Sequence, residues 1–242
     1  MSDGLAPLAS LSPGALRSLL TGDSQKAAKA VALAARRGIV EAQLRLGRML
    51  LDGTGIPRDE HAAFGWFMTA ARDGDADGMN MVGRCYEQGW GVAVDYTAAA
   101  RWYRKAAERG HAWAQYNLGH LYLDGVGVFR DPRAAFAWYW KAAAQGHARA
   151  LSLVGRCFEE GWGVSRDPKR AAEFYRRSAE GGYFRGQYNW ATVLLRAGRA
   201  DEAATWFARA AAGGTEAVRE AVASIQREHP ELLTGIAGPA RH

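Results

Sequence analysis

The sequence predicts an all-α fold in which antiparallel helix pairs stack into a solenoid. The 242 residues include 48 Ala, the strongest helix former, and 29 Gly, which usually marks turns. Both counts are compatible only if the helices are short and glycine recurs between them, as in a repeat array. A period of 36 residues runs through the glycines and confirms the repetition within the sequence itself.

Four series of residues recur at this spacing, three of Gly and one of Asp, and together they set the boundaries of the array. The series comprise Gly47, Gly83, Gly119 and Gly155; the pairs that begin at Gly53, Gly89, Gly125 and Gly161; Asp59, Asp95, Asp131 and Asp167; and Gly74, Gly110, Gly146 and Gly182. We therefore expect one continuous solenoid domain of twelve or thirteen helices. Its segments are a cap with a degenerate repeat (1–39), full repeats (40–75, 76–111, 112–147, 148–183), a shortened repeat (184–215) and a capping helix with tail (216–242).

The two ends extend the same pattern. Residues 24–37 are expected to form the second helix of the degenerate first unit, and residues 10–20 its first helix. Residues 215–228 are expected to form the final capping helix, and residues 231–242 a mobile tail.

Each repeat is predicted to contain two helices. The glycine inside the first helix costs about 1 kcal/mol relative to Ala, so its recurrence indicates that a neighbouring helix approaches closely there. The G-x-G segment ends this helix, and the recurring Asp caps the second helix. Pro132 and Pro168 follow two of these caps at the first helical position, where a missing N–H is harmless. A weaker period of 72 indicates a duplicated pair of repeats, since Glu87 returns as Glu159 and Leu51 as Leu123.

The pattern resembles the Sel1-like repeat family, which is related to the tetratricopeptide repeats. The motif residues in the third repeat are Leu118, Gly119, Tyr122, Gly125, Gly127, Val128, Asp131, Trp138, Tyr139, Lys141, Ala142, Ala143 and Gly146. The resemblance implies a right-handed superhelix and a role as adaptor or scaffold in bacterial signalling, regulatory or secretion assemblies. The fifth unit lacks the G-x-G-V loop and is closer to a tetratricopeptide repeat.

The composition excludes several other classes of protein. A chain with 9 Trp, 9 Tyr and 8 Phe is not disordered, and no run of 18 apolar residues could span a membrane. The N-terminal residues lack a charged start followed by an unbroken apolar stretch, so we expect a cytoplasmic protein. The basic residues behind the net charge of +6 are dispersed along the chain and interleaved with acidic residues. Nucleic-acid binding needs a clustered basic face, so nucleic acid is an unlikely partner.

No catalytic, cofactor or metal motif emerges, and the histidines at 111 and 147 are expected to be structural because they keep the repeat register. Some Sel1-like proteins are disulfide-rich and bind or hydrolyse β-lactams, which leaves a hydrolase as an alternative. Here Cys85 and Cys157 are single within their repeats, so buried apolar thiols are expected instead. A second alternative is an inhibitor or immunity-type protein with one tight partner.

By analogy with tetratricopeptide repeats, first-helix positions should line a concave groove that binds a protein or peptide. The expected groove residues are Arg48, Arg84, Trp113, Tyr116, His120, Arg149, Arg156, Arg185 and Tyr188. Their arginines form a basic stripe suited to an acidic or phosphorylated peptide. The alternative is local pairing of Arg48 with Asp52, of Arg84 with Glu87, and of Arg156 with Glu159 or Glu160.

Three tryptophans are further candidates for surface contacts. Trp140 stands where two other repeats have Arg, which indicates a contact with a partner or with another copy of the chain. Trp90 and Trp162 occupy equivalent loops and either make such contacts or fold back over their own loops. The sequence leaves the oligomeric state open.

Overall fold

The computed structural model describes residues 24–230 and 232, so the prediction for residues 10–20 lies outside the described residues, as does that for the tail apart from Leu232. Leu232 is fully buried in a core cluster, which does not fit a mobile tail at that residue. Within the described residues the chain forms twelve helices and no strand, which confirms the predicted all-α architecture of helix pairs. The helices are α1 (Ser24–Arg36), α2 (Val40–Asp52), α3 (Glu60–Arg72), α4 (Ala76–Gln88), α5 (Tyr96–Glu108), α6 (Ala112–Asp124), α7 (Pro132–Ala144), α8 (Ala148–Glu160), α9 (Pro168–Glu180), α10 (Phe184–Arg196), α11 (Ala200–Gly213) and α12 (Glu216–Glu228). None of these helices is long and apolar enough to cross a membrane.

The chain divides into two compact units. The first unit contains the residues up to Ala114 together with Val126–Val128. The second contains Gln115–Gly125 and the residues from Phe129 onward.

Carboxylates begin the second helix of each full repeat, as the sequence predicts. The side chains of Asp59 and Asp95 accept hydrogen bonds from backbone N–H groups three residues later, each at 2.9 Å. Asp131 and Asp167 do the same at 3.0 Å, and Pro132 and Pro168 occupy the first helical turn beside them. These contacts satisfy N–H groups that a helix leaves unpaired at its start.

The histidines that keep the repeat register are helix caps as well. Nδ1 of His111 accepts from the Ala114 N–H at 3.0 Å, and Nδ1 of His147 accepts from the Ala150 N–H at 3.2 Å. Because Nδ1 accepts, Nε2 of His111 carries the proton and donates it to Asp77 at 2.6 Å. Within the first unit this bond joins the start of α6 to the start of α4.

The core of each full repeat is a contact between the first-helix glycine and one aromatic ring of the second helix. A Cβ added at Gly83, Gly119 or Gly155 would lie 2.5–2.7 Å from the ring of Tyr103, Tyr139 or Tyr175. Gly47 meets the ring of Phe67 in the same way. All four rings are buried, so the glycine allows two helices to approach closely enough to enclose a large ring.

The two glycines of each G-x-G segment act differently. The first ends the helix with a left-handed backbone, as at Gly161, whose φ is 78°. The second packs against the preceding repeat: a Cβ on Gly163 would lie 2.1 Å from the carbonyl oxygen of Pro132 at the start of α7. Gly91 meets the carbonyl of Glu60 in the same manner within the first unit. The second glycine therefore makes a joint between repeats, which the sequence analysis did not foresee.

The hydroxyls of the core tyrosines follow the 72-residue period. Tyr103 donates to Glu87 at 2.8 Å, and Tyr175 donates to Glu159 at 2.5 Å. In the third repeat Leu123 stands where these glutamates stand, and the buried Tyr139 hydroxyl has no hydrogen-bond partner among the described residues. The first repeat has Phe67 in place of a core tyrosine, so only the second and fourth repeats have a core hydroxyl with a glutamate partner.

We predict that Gly119→Ala lowers the free energy of unfolding by about 1–3 kcal/mol, because its methyl group would overlap the buried Tyr139 ring. Gly65→Ala is the matched control, since that helical glycine has no neighbour within 4 Å and is exposed. It should raise stability by about 0.5–1 kcal/mol through helix propensity. Urea unfolding measures both, and equal effects at the two positions would contradict the packing argument.

Tyr139→Phe is predicted to leave the free energy of unfolding unchanged or to raise it by up to about 1 kcal/mol, because it removes a buried hydroxyl that lacks a partner. Tyr175→Phe should lower it by about 1 kcal/mol, because that hydroxyl donates to Glu159. Both values come from urea unfolding monitored by circular dichroism. A loss at Tyr139 as large as that at Tyr175 would show that the hydroxyl has a partner.

Candidate functional site

Six of the nine expected groove residues line one cleft in the second unit. They are Tyr116, His120, Arg149, Arg156, Arg185 and Tyr188, and we refer to the cavity that they line as the Arg–Tyr cleft. Its volume is about 410 Å³. Since residues from three consecutive repeats meet there, the repeat register correctly brings these side chains together.

Helical spacing explains why these side chains share one surface. Residues three or four positions apart lie on the same face of a helix. The sets concerned are Tyr116 and His120 on α6; Arg149, Ser152 and Arg156 on α8; and Arg185 and Tyr188 on α10. The first helices of the third, fourth and fifth repeats therefore supply three walls of the cleft.

Aromatic rings line part of the cleft and pack against other rings of the second unit. The ring of Tyr116 lies 4.6 Å from that of His120 and 5.2 Å from that of His147. The ring of Tyr188 lies 5.6 Å from that of the fully buried Phe207, in an edge-to-face arrangement. Such ring contacts are favourable, and they place aromatic surface along the cleft.

The electrostatics of the cleft are strongly positive. Its lining contains three arginines and no Asp or Glu. In the described part of the chain, neither Arg156 nor Arg185 forms an ion pair with a carboxylate. Arg149 hydrogen-bonds to the Tyr116 hydroxyl, and its guanidinium lies 5.6 Å from the ring of Tyr183. The cleft thus presents guanidinium groups that suit an anion.

Burial raises the pKa of Tyr116, and the nearby Tyr183 hydroxyl adds to this effect. Arg149 and Arg185 oppose it, because their positive charges stabilise the phenolate. The net direction is upward, so the Tyr116 hydroxyl keeps its proton at neutral pH. It can therefore donate a hydrogen bond to a bound anion.

Arg156 makes a cation–π contact with Trp162, in the loop that follows its helix. Its guanidinium carbon lies 4.8 Å from the centre of the Trp162 ring, and Arg84 lies 4.9 Å from the Trp90 ring in the same way. Both tryptophans are half-buried, which matches the expectation that they fold back over their own loops.

The expected local ion pairs do not form within the described residues. For the glutamates expected to pair with Arg84 and Arg156, the structure shows other partners. The hydroxyl of Tyr103 donates to Glu87, and that of Tyr175 donates to Glu159. Glu159 also pairs with Arg196 at 3.6 Å. These three arginines are therefore not ion-paired locally among the described residues, and the role of the stripe as a ligand site stays a prediction.

The other three expected groove residues belong to the first unit and are not part of the Arg–Tyr cleft. Arg48 is exposed, Arg84 packs on Trp90, and Trp113 is 44% exposed at the start of α6. Their role in binding stays a prediction.

Trp140 lies in an aromatic cluster of the second unit. Its ring is 5.7 Å from that of Phe136 and 5.3 Å from that of Phe174, while Phe158 lies 6.5 Å away. The side chain is still 38% exposed. Intramolecular packing thus explains much of this departure from the repeat pattern, and the expected surface contact stays a prediction.

Two parts of the cleft were not predicted from the sequence. Tyr183 lines it from the position that holds the helix-capping histidines in the preceding repeats, so the repeat register contained a signal for it. The first turns of α12 close the fourth side through Thr215, Ala217, Val218 and Ala221. Nothing in the pattern of α12 indicated this, because it lies beyond the last repeat.

The two thiols are buried and free. Cys85 and Cys157 have no solvent exposure, and burial raises the pKa of each from its usual 9.0 to about 12. This confirms the prediction that both are apolar core residues. Among the described residues there is also no cluster of three His, Cys, Asp or Glu that could hold a metal ion.

The model of the Sel1 repeat matches residues 40–75, 76–111, 114–147, 148–183 and 185–215. The chain belongs to the Sel1 repeat family. The resemblance noted from the sequence is thereby confirmed, and the shortened fifth unit, expected to be closer to a tetratricopeptide repeat, is matched as a Sel1 repeat as well. A comparison with curated proteins gives no significant match.

Solved structures show the same fold. A Sel1 repeat protein from Oxalobacter formigenes has a TM-score of 0.81 at 26% identity, covering 90% of this chain and 95% of its own. A protective antigen of uropathogenic Escherichia coli with an SLR fold scores 0.66 at 25% identity, covering 88% of this chain and 56% of its own. An immunity protein from Pseudomonas aeruginosa scores 0.53 at 18% identity, covering 95% and 90%, and shows the fold alone.

The raised thiol pKa values predict that the protein loses stability in alkali. Because each pKa is higher in the folded chain than the usual 9.0, the contribution of each thiol is complete below about pH 9 and is lost as the pH rises towards 12. The loss is at most about 1.4 kcal/mol per pH unit for each thiol. Urea unfolding between pH 7 and 10.5 measures it.

The double variant Cys85→Ala and Cys157→Ala is the control for this pH dependence. Its stability should fall less steeply between pH 9 and 10 than that of the parent protein. Buried tyrosines account for the remaining slope above pH 10, since burial raises the pKa of Tyr103, Tyr139 and Tyr175 as well. Identical slopes for the variant and the parent would contradict the assignment to the thiols.

Proposed function

We propose that this Sel1 repeat protein is a non-enzymatic adaptor that binds an anionic segment of a protein partner in the Arg–Tyr cleft. Sel1 repeats typically mediate protein interactions. A role in a bacterial signalling, regulatory or secretion assembly is part of this proposal, because the family resemblance implies it. We place the protein in the cytoplasm, as the sequence predicts.

The charge of the cleft is the observation that supports this proposal most directly. Three arginines line it together with three tyrosines, and no carboxylate from the chain lines it. Arginine and tyrosine supply much of the binding energy at protein interfaces, because each combines a large contact area with directional hydrogen bonds. A segment that carries negative charge beside an apolar or aromatic side chain complements this lining.

A charge-reversal experiment tests the proposal. Affinity capture with cross-linking from the native cell would compare the parent protein with the triple variant Arg149→Glu, Arg156→Glu and Arg185→Glu. We expect the variant to lose its main partner, because the variant reverses the sign of the cleft. Capture by the parent should also weaken as salt rises, since ionic strength screens exposed charges.

The matched control reverses three charges elsewhere in the second unit. Arg133, Lys169 and Arg176 are exposed and lie outside the cleft lining, so their change to Glu alters the net charge equally. This control should keep the partner, and both variants should keep the helical signal and Tm of the parent. Retention of the partner by the cleft variant would contradict the proposal.

The same capture separates the two alternative functions. A single protein held in a tight one-to-one complex would indicate an inhibitor or immunity-type role instead of an adaptor. The likeness to immunity proteins from Pseudomonas aeruginosa does not favour that role, because it extends only to the fold. Turnover of a β-lactam by the purified protein at ordinary enzyme rates would indicate a hydrolase.

A further inference from the structure

We propose that the anion recognised in the Arg–Tyr cleft is a phosphate monoester on a side chain of the partner, bound as a dianion. This inference rests on the proposed function and names the chemical group at its centre. It follows from the number of positive groups, from their proximity within the cleft and from the placement of Arg156.

The number of charges favours a dianion over a carboxylate. Three guanidinium groups line the cleft without an acidic residue among them. One carboxylate would neutralise a single charge and leave two like charges in mutual repulsion. A phosphate monoester carries a charge of about −1.5 to −2 and has three acceptor oxygens, so it can engage more than one guanidinium at once.

Two of the arginines lie near the same tyrosine hydroxyl. Arg149 and Arg185 hold the same register position in consecutive repeats, and the charges of both reach the Tyr116 hydroxyl. Arg149 also hydrogen-bonds to that hydroxyl. Two guanidinium groups and one phenol therefore line the same cleft near one another, which suits a compact anion with several oxygens better than an extended acidic stretch.

The third arginine is oriented before any ligand binds. The guanidinium carbon of Arg156 lies 4.8 Å from the centre of the Trp162 ring, and this contact favours one placement of its donors. Arg156 and Arg185 both lack a carboxylate partner among the described residues, which leaves their donors for a ligand. A preformed fork loses less entropy on binding than a mobile side chain does.

The volume indicates that the phosphate is attached to a larger group. About 410 Å³ exceeds what a phosphate group alone would fill, and the rings of Tyr183 and Tyr188 line the remainder. An ester with a flat apolar ring next to its phosphate would contact both the arginines and these rings. Phenyl phosphate is the simplest probe with both features.

The decisive comparison needs no variant. Calorimetric titrations of the full chain at pH 8 and low salt would use phenyl phosphate, phenyl sulfate, which has the same shape but one negative charge, and inorganic phosphate. We expect phenyl phosphate to bind roughly tenfold more tightly than phenyl sulfate, because the second charge engages a second guanidinium. Equal binding of these two probes would overturn the inference.

Inorganic phosphate separates a side-chain ester from free phosphate. If it binds as tightly as phenyl phosphate, the cleft is a site for the free anion and the proposed side-chain ester is wrong. We expect it to bind several-fold more weakly, since it cannot contact the rings.

Variants then locate the binding within the cleft. Arg149→Gln and Arg185→Gln should each weaken phenyl phosphate binding roughly tenfold, while the exposed Arg176→Gln should leave it unchanged. Arg185→Lys should fall between the parent and Arg185→Gln, because it keeps the charge and loses the fork. Binding that survives both Gln substitutions would place the anion elsewhere and overturn the inference.

The failure of this inference can be told from the failure of the proposed function. If the triple Glu variant loses its partner while phenyl sulfate and phenyl phosphate bind equally, the cleft binds a protein but not through a dianion. If phenyl phosphate binds selectively while partner capture survives charge reversal, the cleft recognises phosphate but does not hold the partner.

Discussion

The contact between a first-helix glycine and a second-helix ring is the constraint on which each full repeat depends. Gly119 and Tyr139 illustrate it: a helix can lie against a buried ring only where a backbone without a side chain leaves room. The exchange of a methyl group for a large aromatic surface favours folding, because the ring buries far more apolar area than the methyl group would. The same contact recurs in all four full repeats.

A second glycine contact carries this uniformity from one repeat to the next within each unit. Gly163 touches the start of α7 and Gly91 the start of α3, so each loop rests on the helix of the preceding repeat. Backbone meets backbone at these joints, and the surrounding side chains can vary without changing the stacking. A rigid frame of this kind leaves the exposed first-helix positions available for function.

The Arg–Tyr cleft shows how variation on that frame produces a site. Equivalent positions hold Asn80 in the second repeat, Tyr116 in the third, Ser152 in the fourth and Tyr188 in the fifth. In the second unit the small Ser152 stands between the two tyrosines in this series, and all three line the cleft. In these three repeats a small side chain lies between two large ones at one register position, while arginines at neighbouring positions supply the charge.

The sequence by itself determined the helix pairs, their caps, the close approach at glycine and the side chains that share the cleft. These features depend on local chemistry or on a 36-residue register, and both are written in the order of residues. The tertiary structure alone decided that Trp162 rather than a glutamate holds Arg156, that Tyr139 lacks the partner available to Tyr175, and that α12 closes the cleft. Each of these outcomes depends on which of several nearby groups comes within reach after packing, and spacing along the chain does not encode that competition.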